Sequence, residues 1–371
     1  MNAQCKKWLE KKLEKLQLLE SYSLERTNAT IAKQVGIAPT QIVKLNYNEN
    51  LFMPKEKLAG FMREVAEECD LRIYPQEEES RLREKISAYL KTPKDRIVVG
   101  NGSDELIDRI ARLFLEKGDV TVSVVPTFPV CRYCIKHQGA EYIEVPLLKD
   151  FGLDVERLSD TFTSETKLLY LCSPNNPTGN QFKMDDIKNL TEEFPGIVIV
   201  DEAYAEYADY SMVSLVDKYE NLIILRTFSK AFGLAGLRLG YAVTNAGLAK
   251  TLAEKTPMPF PVSTVTLSMG RKLLENFAVV EKAVKALKME RGTLIKRLNG
   301  IKGTKAFDSK ANFVLFSTSK PADEVYQNLL KRGIIIKKYG KLLHLENCLR
   351  TTVGLPQMNA KLLEALKEIV E

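Results

Sequence analysis

Apolar and polar positions recur along this chain with two periods, and the switch between them organises most of it. Over residues 3–20, Trp8, Leu9, Leu13, Leu16 and Leu19 recur near helical spacing with charges between them. That pattern predicts an amphipathic helix docked on the body or on a second subunit. Gly36-Ile37-Ala38-Pro39 then breaks the chain before a short strand at 42–45, which leads into Asn46-Tyr47-Asn48-Glu49-Asn50. Helices near 56–69 and 78–90 flank Tyr74-Pro75. From there, short apolar runs alternate with helical faces. The runs at 96–100, 120–125, 142–145, 167–172, 197–200, 222–225 and 239–243 read as buried strands. Strands alternating with helices predict an α/β fold, with a mostly parallel sheet covered on both faces. After a Pro-rich break at 256–261, a long helical stretch runs to about 298. Strands at 312–316, 334–337 and 348–353, with helices at 322–331 and from 359, predict a smaller α+β domain. The expected units are an N-terminal helix (1–21), a joining segment (22–70), a large domain (71–262) and a small domain (263–371).

In a sheet of this kind ligands sit beyond the carboxyl ends of the strands, and the unusual residues of this chain collect there. The run at 222–225 empties into Thr227, Ser229 and Lys230, then into small residues and Arg238. A lysine among apolar neighbours is expensive to leave charged, so its pKa falls and its neutral amine can form an imine with a carbonyl. The hydroxyls and the arginine suit a phosphate. Together they ask for pyridoxal phosphate; the alternative is a solvated Ser-Lys in a linker. Asp201 ends another apolar run, and a buried aspartate needs a cationic partner such as a protonated pyridine nitrogen. An aspartate that caps a helix or binds a metal is the alternative there. Tyr204, three residues on, is placed to reach the same ring. Asn101-Gly102-Ser103-Asp104-Glu105 opens a helix, whose free amides favour an anion, although an ordinary N-cap reads the same way. Phe128 can lay a face on a flat ring or be a core residue. The prolines of Ser173-Pro174-Asn175-Asn176-Pro177-Thr178-Gly179 would hold Asn176 as a fixed donor, or merely build a turn.

Composition narrows the function classes. The chain has 371 residues, 45% of them hydrophobic, and a formal charge of +6. The charge is spread along the chain, which suits anionic substrates and gives no basic block for nucleic acid. No apolar run reaches membrane-spanning length, and charges interrupt the N-terminus where a signal peptide needs an apolar core. Cytoplasm is the expectation. The two histidines, His137 and His344, leave no His-based triad, and no partner pair that would make Cys131 and Cys134 a zinc site. Two thiols on one helix is the preferred reading, and no metal is expected.

These motifs, in this order, resemble the fold-type I pyridoxal-phosphate aminotransferases, and within them the histidinol-phosphate aminotransferases. The residues carrying the resemblance are 44–50, Tyr74-Pro75, 100–107, 126–128, 174–179, 201–204, 229–238, 311–316 and 348–354. The resemblance implies a three-layer fold around a seven-stranded sheet. It implies Lys230 as the amine that bonds the cofactor and then moves a proton on the substrate. Asp201 would pair with the ring nitrogen, Asn176 and Tyr204 with the ring oxygen, and Phe128 with the ring face. Ser103 and Asp104 (through their backbone), Thr227, Ser229 and Arg238 would hold the phosphate, with Tyr74 reaching it from the other subunit of a homodimer. Arg350 would bind a substrate carboxylate or phosphate, with Asn50 and Lys337 lining the pocket. The implied reaction moves an amino group between histidinol phosphate and 2-oxoglutarate. An aromatic aminotransferase using Phe52 and Met53, a phosphothreonine decarboxylase and a non-catalytic binding protein are the rivals. The departures fall on the substrate side. Leu51-Phe52-Met53-Pro54 stands where the family runs Pro-x-Gly-Pro, and Lys337 stands where arginine is common. A usual Pro-Gly near Tyr22 is absent, and the N-terminal helix is extra.

Overall fold

A computed structural model describes residues 2–17 and 27–371. Its centre is a seven-stranded sheet formed by β1 (Ile97–Gly100), β2 (Val120–Val125), β3 (Glu141–Pro146), β4 (Thr166–Cys172), β5 (Ile197–Asp201), β6 (Leu222–Thr227) and β7 (Gly240–Val243). Across the sheet the order is β1-β7-β6-β5-β4-β2-β3. The pairings among β2 to β6 are parallel, and β7 runs antiparallel to both of its neighbours.

The two-residue alternation of these strands builds two cores. Leu169, Leu171, Val198, Val200, Leu222 and Ile224 face one layer, while Leu168, Tyr170, Ile199, Ile223 and Leu225 face the other. A sheet buried on both faces needs such continuous apolar runs. Register then places the chemistry. Asp201 lies level with Cys172 on one side and Leu225 on the other, so β4, β5 and β6 release their chains at one rim.

A four-stranded antiparallel sheet packs separately, in the order Lys337–Leu342, Leu345–Thr352, Phe313–Thr318, Thr304–Ala306. Val43–Lys44 pairs in parallel with Ile334–Ile335, which ties the segment leading to Asn46–Asn50 to this second unit. The expected long helix is two helices, Thr264–Glu275 and Phe277–Asn299, parted at Asn276. The expected strand at 334–337 is also two, because the chain leaves one sheet and enters the other at Ile336. The N-terminal helix forms as Ala3–Gln17. Trp8 is 64% exposed, and Leu9, Leu13 and Leu16 are exposed with it. Among the described residues nothing covers this apolar stripe, and Leu19 lies outside them. Among the described residues no helix is long and apolar enough to cross a membrane.

Candidate active site

Three strand ends and one helix start converge at the rim. Asp201 is fully buried; its Oδ2 accepts from the Tyr170 hydroxyl at 2.8 Å and its Oδ1 from the Ala203 amide at 3.1 Å. Both donors are uncharged. Burial therefore raises the carboxyl to about 6, against the pull of the Tyr170 hydrogen bond. Lys230 sits three residues past β6, where its Nζ donates to the Tyr47 carbonyl at 3.2 Å and lies 5.8 Å from the Tyr204 ring centroid. Burial lowers this amine to about 8; Asp104 opposes the shift and Arg350 adds to it. Lys230 also pulls on the Asp201 carboxyl, so both groups lie within one another's field. An amine and a carboxyl, each displaced toward its neutral form and with no ionic partner among the described residues, are the mark of a site that expects a ligand.

Beside them lies a cradle. Helix Ser103–Phe114 starts directly after Gly102 at φ 89, where only glycine is unstrained. A Cβ on Gly102 would come within 2.9 Å of Arg238 Nη2, and one on Gly240 within 2.5 Å of the Ser103 amide. Arg238 donates through Nη1 to Ser229 Oγ at 3.2 Å and through Nη2 to Asp104 Oδ2 at 3.0 Å. Free helix amides, a hydroxyl and a guanidinium are thus brought to one concavity that side chains would fill, the recipe for holding a phosphate. With the buried carboxyl and the depressed amine alongside, the residues present fit pyridoxal phosphate.

The opposite wall comes from elsewhere in the chain. Arg350 is buried on Leu345–Thr352 and donates to Asn176 Oδ1, to the Tyr339 hydroxyl at 3.1 Å and to the Asn46 carbonyl at 2.7 Å. Asn48 donates to the Tyr204 hydroxyl at 3.0 Å, and burial raises that phenol, so it remains protonated. Asn50 donates to the Ala231 carbonyl at 2.8 Å, next to Lys230. A cavity of about 450 Å³ opens there, with Asn50, Leu51, Ser229 and Gly233 in its wall.

Lys230, Asp201, Tyr204, Asn176, Ser103, Asp104, Ser229, Arg238, Arg350 and Asn50 are all brought to this rim. Phe128 follows β2 and packs partly buried against the second core. Lys337 faces Arg350 across the small sheet. Thr227 is turned inward: its hydroxyl donates to the Leu239 carbonyl and accepts from the Ser229 amide, so it shapes the turn. Tyr74 stands apart from the cluster, 69% exposed and stacked on Phe260 at 4.6 Å. Sequence reasoning missed Tyr170, because a strand tyrosine reads as core. It also missed Asn48 and Tyr339, which no spacing rule marks. Asn175 was passed over for its neighbour, yet its side chain binds the Pro126 carbonyl, Thr127 and Thr178, riveting two strand-end loops together.

A three-layer α/β fold with a depressed amine, a buried carboxyl and a phosphate cradle at the strand ends defines a group-transfer enzyme that works through amine–carbonyl chemistry. The family described as aminotransferase class I and II matches residues 40–366, and the chain belongs to it. The histidinol-phosphate aminotransferase of Thermoanaerobacter pseudethanolicus is 38% identical over 328 residues, covering 88% of this chain and 93% of its own length. That of Methanosarcina mazei is 36% identical, covering 94% of each. Among solved structures, histidinol-phosphate aminotransferase from Sinorhizobium meliloti in complex with pyridoxal-5'-phosphate superposes with a TM-score of 0.84 at 26% identity, covering 94% of this chain and 95% of that one.

Proposed function

We propose that this chain transfers an amino group between histidinol phosphate and 2-oxoglutarate with pyridoxal phosphate as cofactor. The observation that carries the reading is Asp201 and Lys230 at one rim, bonded only to uncharged partners among the described residues and each pushed toward its neutral form. Once bound, the cofactor supplies an electrophilic carbon and an electron-withdrawing ring that acidifies the substrate Cα–H. Lys230, its amine lowered to about 8 by burial, would take the Cα proton and return it to the carbon on the far side of the transferred nitrogen. Asp201 keeps the ring nitrogen protonated, and Tyr170 and Ala203 hold that carboxylate in place. Asn176 and Tyr204 reach the ring oxygen, and Phe128 covers a face. The amides of Ser103 and Asp104, with Ser229 and Arg238, hold the phosphate on the turn that Thr227 shapes. Arg350 anchors the carboxylate or phosphate of each substrate, with Lys337 adding charge and Asn50 lining the entrance.

The residues of the aromatic reading are largely engaged in packing. Met53 is buried, and a Cβ on Gly233 would lie 2.8 Å from its Cγ; Phe52 packs against the core. A homodimer completes the site. Exposed Leu71, Ile73, Tyr74, Met258 and Phe260 form the kind of apolar patch that subunits cover, and its burial would bring Tyr74 to the partner's phosphate cradle. The cofactor domain spans 71–262. Six free cysteines suit a reducing cytoplasm.

Borohydride reduction and peptide mapping should place a pyridoxyl adduct on Lys230; an unmodified lysine sinks the cofactor assignment. A donor screen that follows the cofactor absorbance with histidinol phosphate, phenylalanine and glutamate then decides the substrate. Release of carbon dioxide would mean a lyase instead.

A further inference from the structure

In the small sheet, Lys337 faces Arg350 and Lys338 faces Leu349, but the next pair is Gly340 with Cys348. Tyr339 is therefore the extra residue of a β-bulge, and Gly340 beside it takes φ 74. Bulges next to functional sites re-aim a side chain. This one brings the Tyr339 hydroxyl to 3.1 Å from Arg350 Nη1. The guanidinium carbon lies 5.8 Å from the Tyr339 ring centroid and 5.0 Å from that of Phe313.

A guanidinium carries five N–H donors in a rigid fork. Nη1 commits both of its donors, to Asn176 and Tyr339, and Nη2 commits one to the Asn46 carbonyl. Among the described residues Nε has no partner, although Arg350 is only 5% exposed. The uncommitted donors are the Nε–H and one N–H of Nη2, the two nitrogens whose shared edge can meet a carboxylate bidentately. An unmet donor in a buried arginine is a standing demand for an acceptor, and a substrate anion is the strongest one.

We propose that Tyr339 is a positioning residue for substrate recognition. By holding the Nη1 side of Arg350 through its hydroxyl and flanking the guanidinium with its ring, it presents the Nε–Nη2 edge to the substrate carboxylate. The inference rests on Arg350 as the anion anchor.

The test uses the holoenzyme and maleate, a dicarboxylate with no amino or keto group to react. Maleate Kd is measured by calorimetry for wild type, Tyr339→Phe and Arg350→Gln, beside kcat and KM for glutamate. Tyr339→Phe keeps the ring, and its melting temperature serves as the folding control. Loss of one hydrogen bond to a charged group should raise maleate Kd and glutamate KM about fivefold to tenfold while kcat stays within about twofold. Arg350→Gln should weaken maleate further. If Arg350→Gln weakens maleate and Tyr339→Phe does not, the positioning role is overturned and the anchor stands. A Tyr339→Phe variant that loses kcat and melting temperature at unchanged Kd overturns it equally, since that is a structural role. If Arg350→Gln leaves maleate Kd unchanged, the anchor falls and the inference with it.

Discussion

Two buried charge clusters start side by side where β5 ends, one at Asp201 and the other at Glu202, and they behave differently. Arg226 donates through Nε to Glu202 at 2.9 Å, through Nη1 to Glu206 at 3.1 Å and through Nη2 to Ser211 at 2.8 Å. Glu202 also takes the Met212 amide at 2.6 Å. The guanidinium's pKa rises despite burial, because Glu202 and Glu206 surround it. That cluster closes on itself through ion pairs, although burial still raises the Glu206 carboxyl against the pull of Arg226. Asp201, beside Glu202, and Lys230, in the turn after β6, have no ionic partner among the described residues, and burial shifts each toward its neutral form. The difference separates a structural use of buried charge from a chemical one. Satisfied charge fixes the loops of the strand ends, while unsatisfied charge is kept for a ligand.

The contrast can be broken at either end. The largest effect is expected from Lys230→Met, which should lower turnover by at least about a thousandfold through loss of the proton-transferring amine. Its cofactor-free form should melt no lower than wild type, and a clear loss of stability would place Lys230 in the structural class. Arg226→Met should do the reverse. It strands two buried carboxylates and should remove about 3–5 kcal/mol of stability in urea titration, with activity following the folded fraction. Asp201→Asn should lower kcat about a hundredfold, the scale of losing one preorganised electrostatic group, without destabilising the cofactor-free protein.

Titration sharpens the same comparison. Between about 8 and 10.5, unfolded Lys230 binds a proton that the folded amine has released, so stability rises with pH there. Between 3.8 and about 6, folded Asp201 keeps a proton that the unfolded chain has lost, so stability falls as pH rises. Denaturation midpoints of cofactor-free wild type should show each trend, on the order of 1–3 kcal/mol, relative to Lys230→Met and Asp201→Asn respectively. Slopes of the opposite sign would mean both groups are paired. The smallest effect belongs to Tyr74→Phe, which should weaken cofactor binding by about 1 kcal/mol. A monomeric enzyme in sedimentation would remove the reason for any effect at all.

Much of the site was legible before folding because its parts are local. Asp201 directly follows one apolar run, and Ser229, Lys230 and Arg238 lie in the turn that another empties into; an apolar run of that length predicts a strand that must end at a rim. What stayed hidden depends on pairing at a distance. Tyr170 looks like one more core residue until its hydroxyl, on the neighbouring strand, reaches Asp201. Asn175 and Asn176 are indistinguishable in the chain, yet one rivets loops and the other meets Arg350. The single long helix expected before residue 298 divides at Asn276, where periodicity alone gives no break.

By itself, the order of residues determined the α/β class, the strand ends that carry chemistry and the amine and carboxyl at their tips, since hydrophobic period and turn residues act over a few positions. Only the tertiary structure decided which charges are satisfied. The Asn46 carbonyl and Arg350 are 304 positions apart, and Tyr339 owes its aim to a one-residue mismatch between two strands. Whether a buried group is partnered or left open depends on every element packed against it, and no local pattern contains that information.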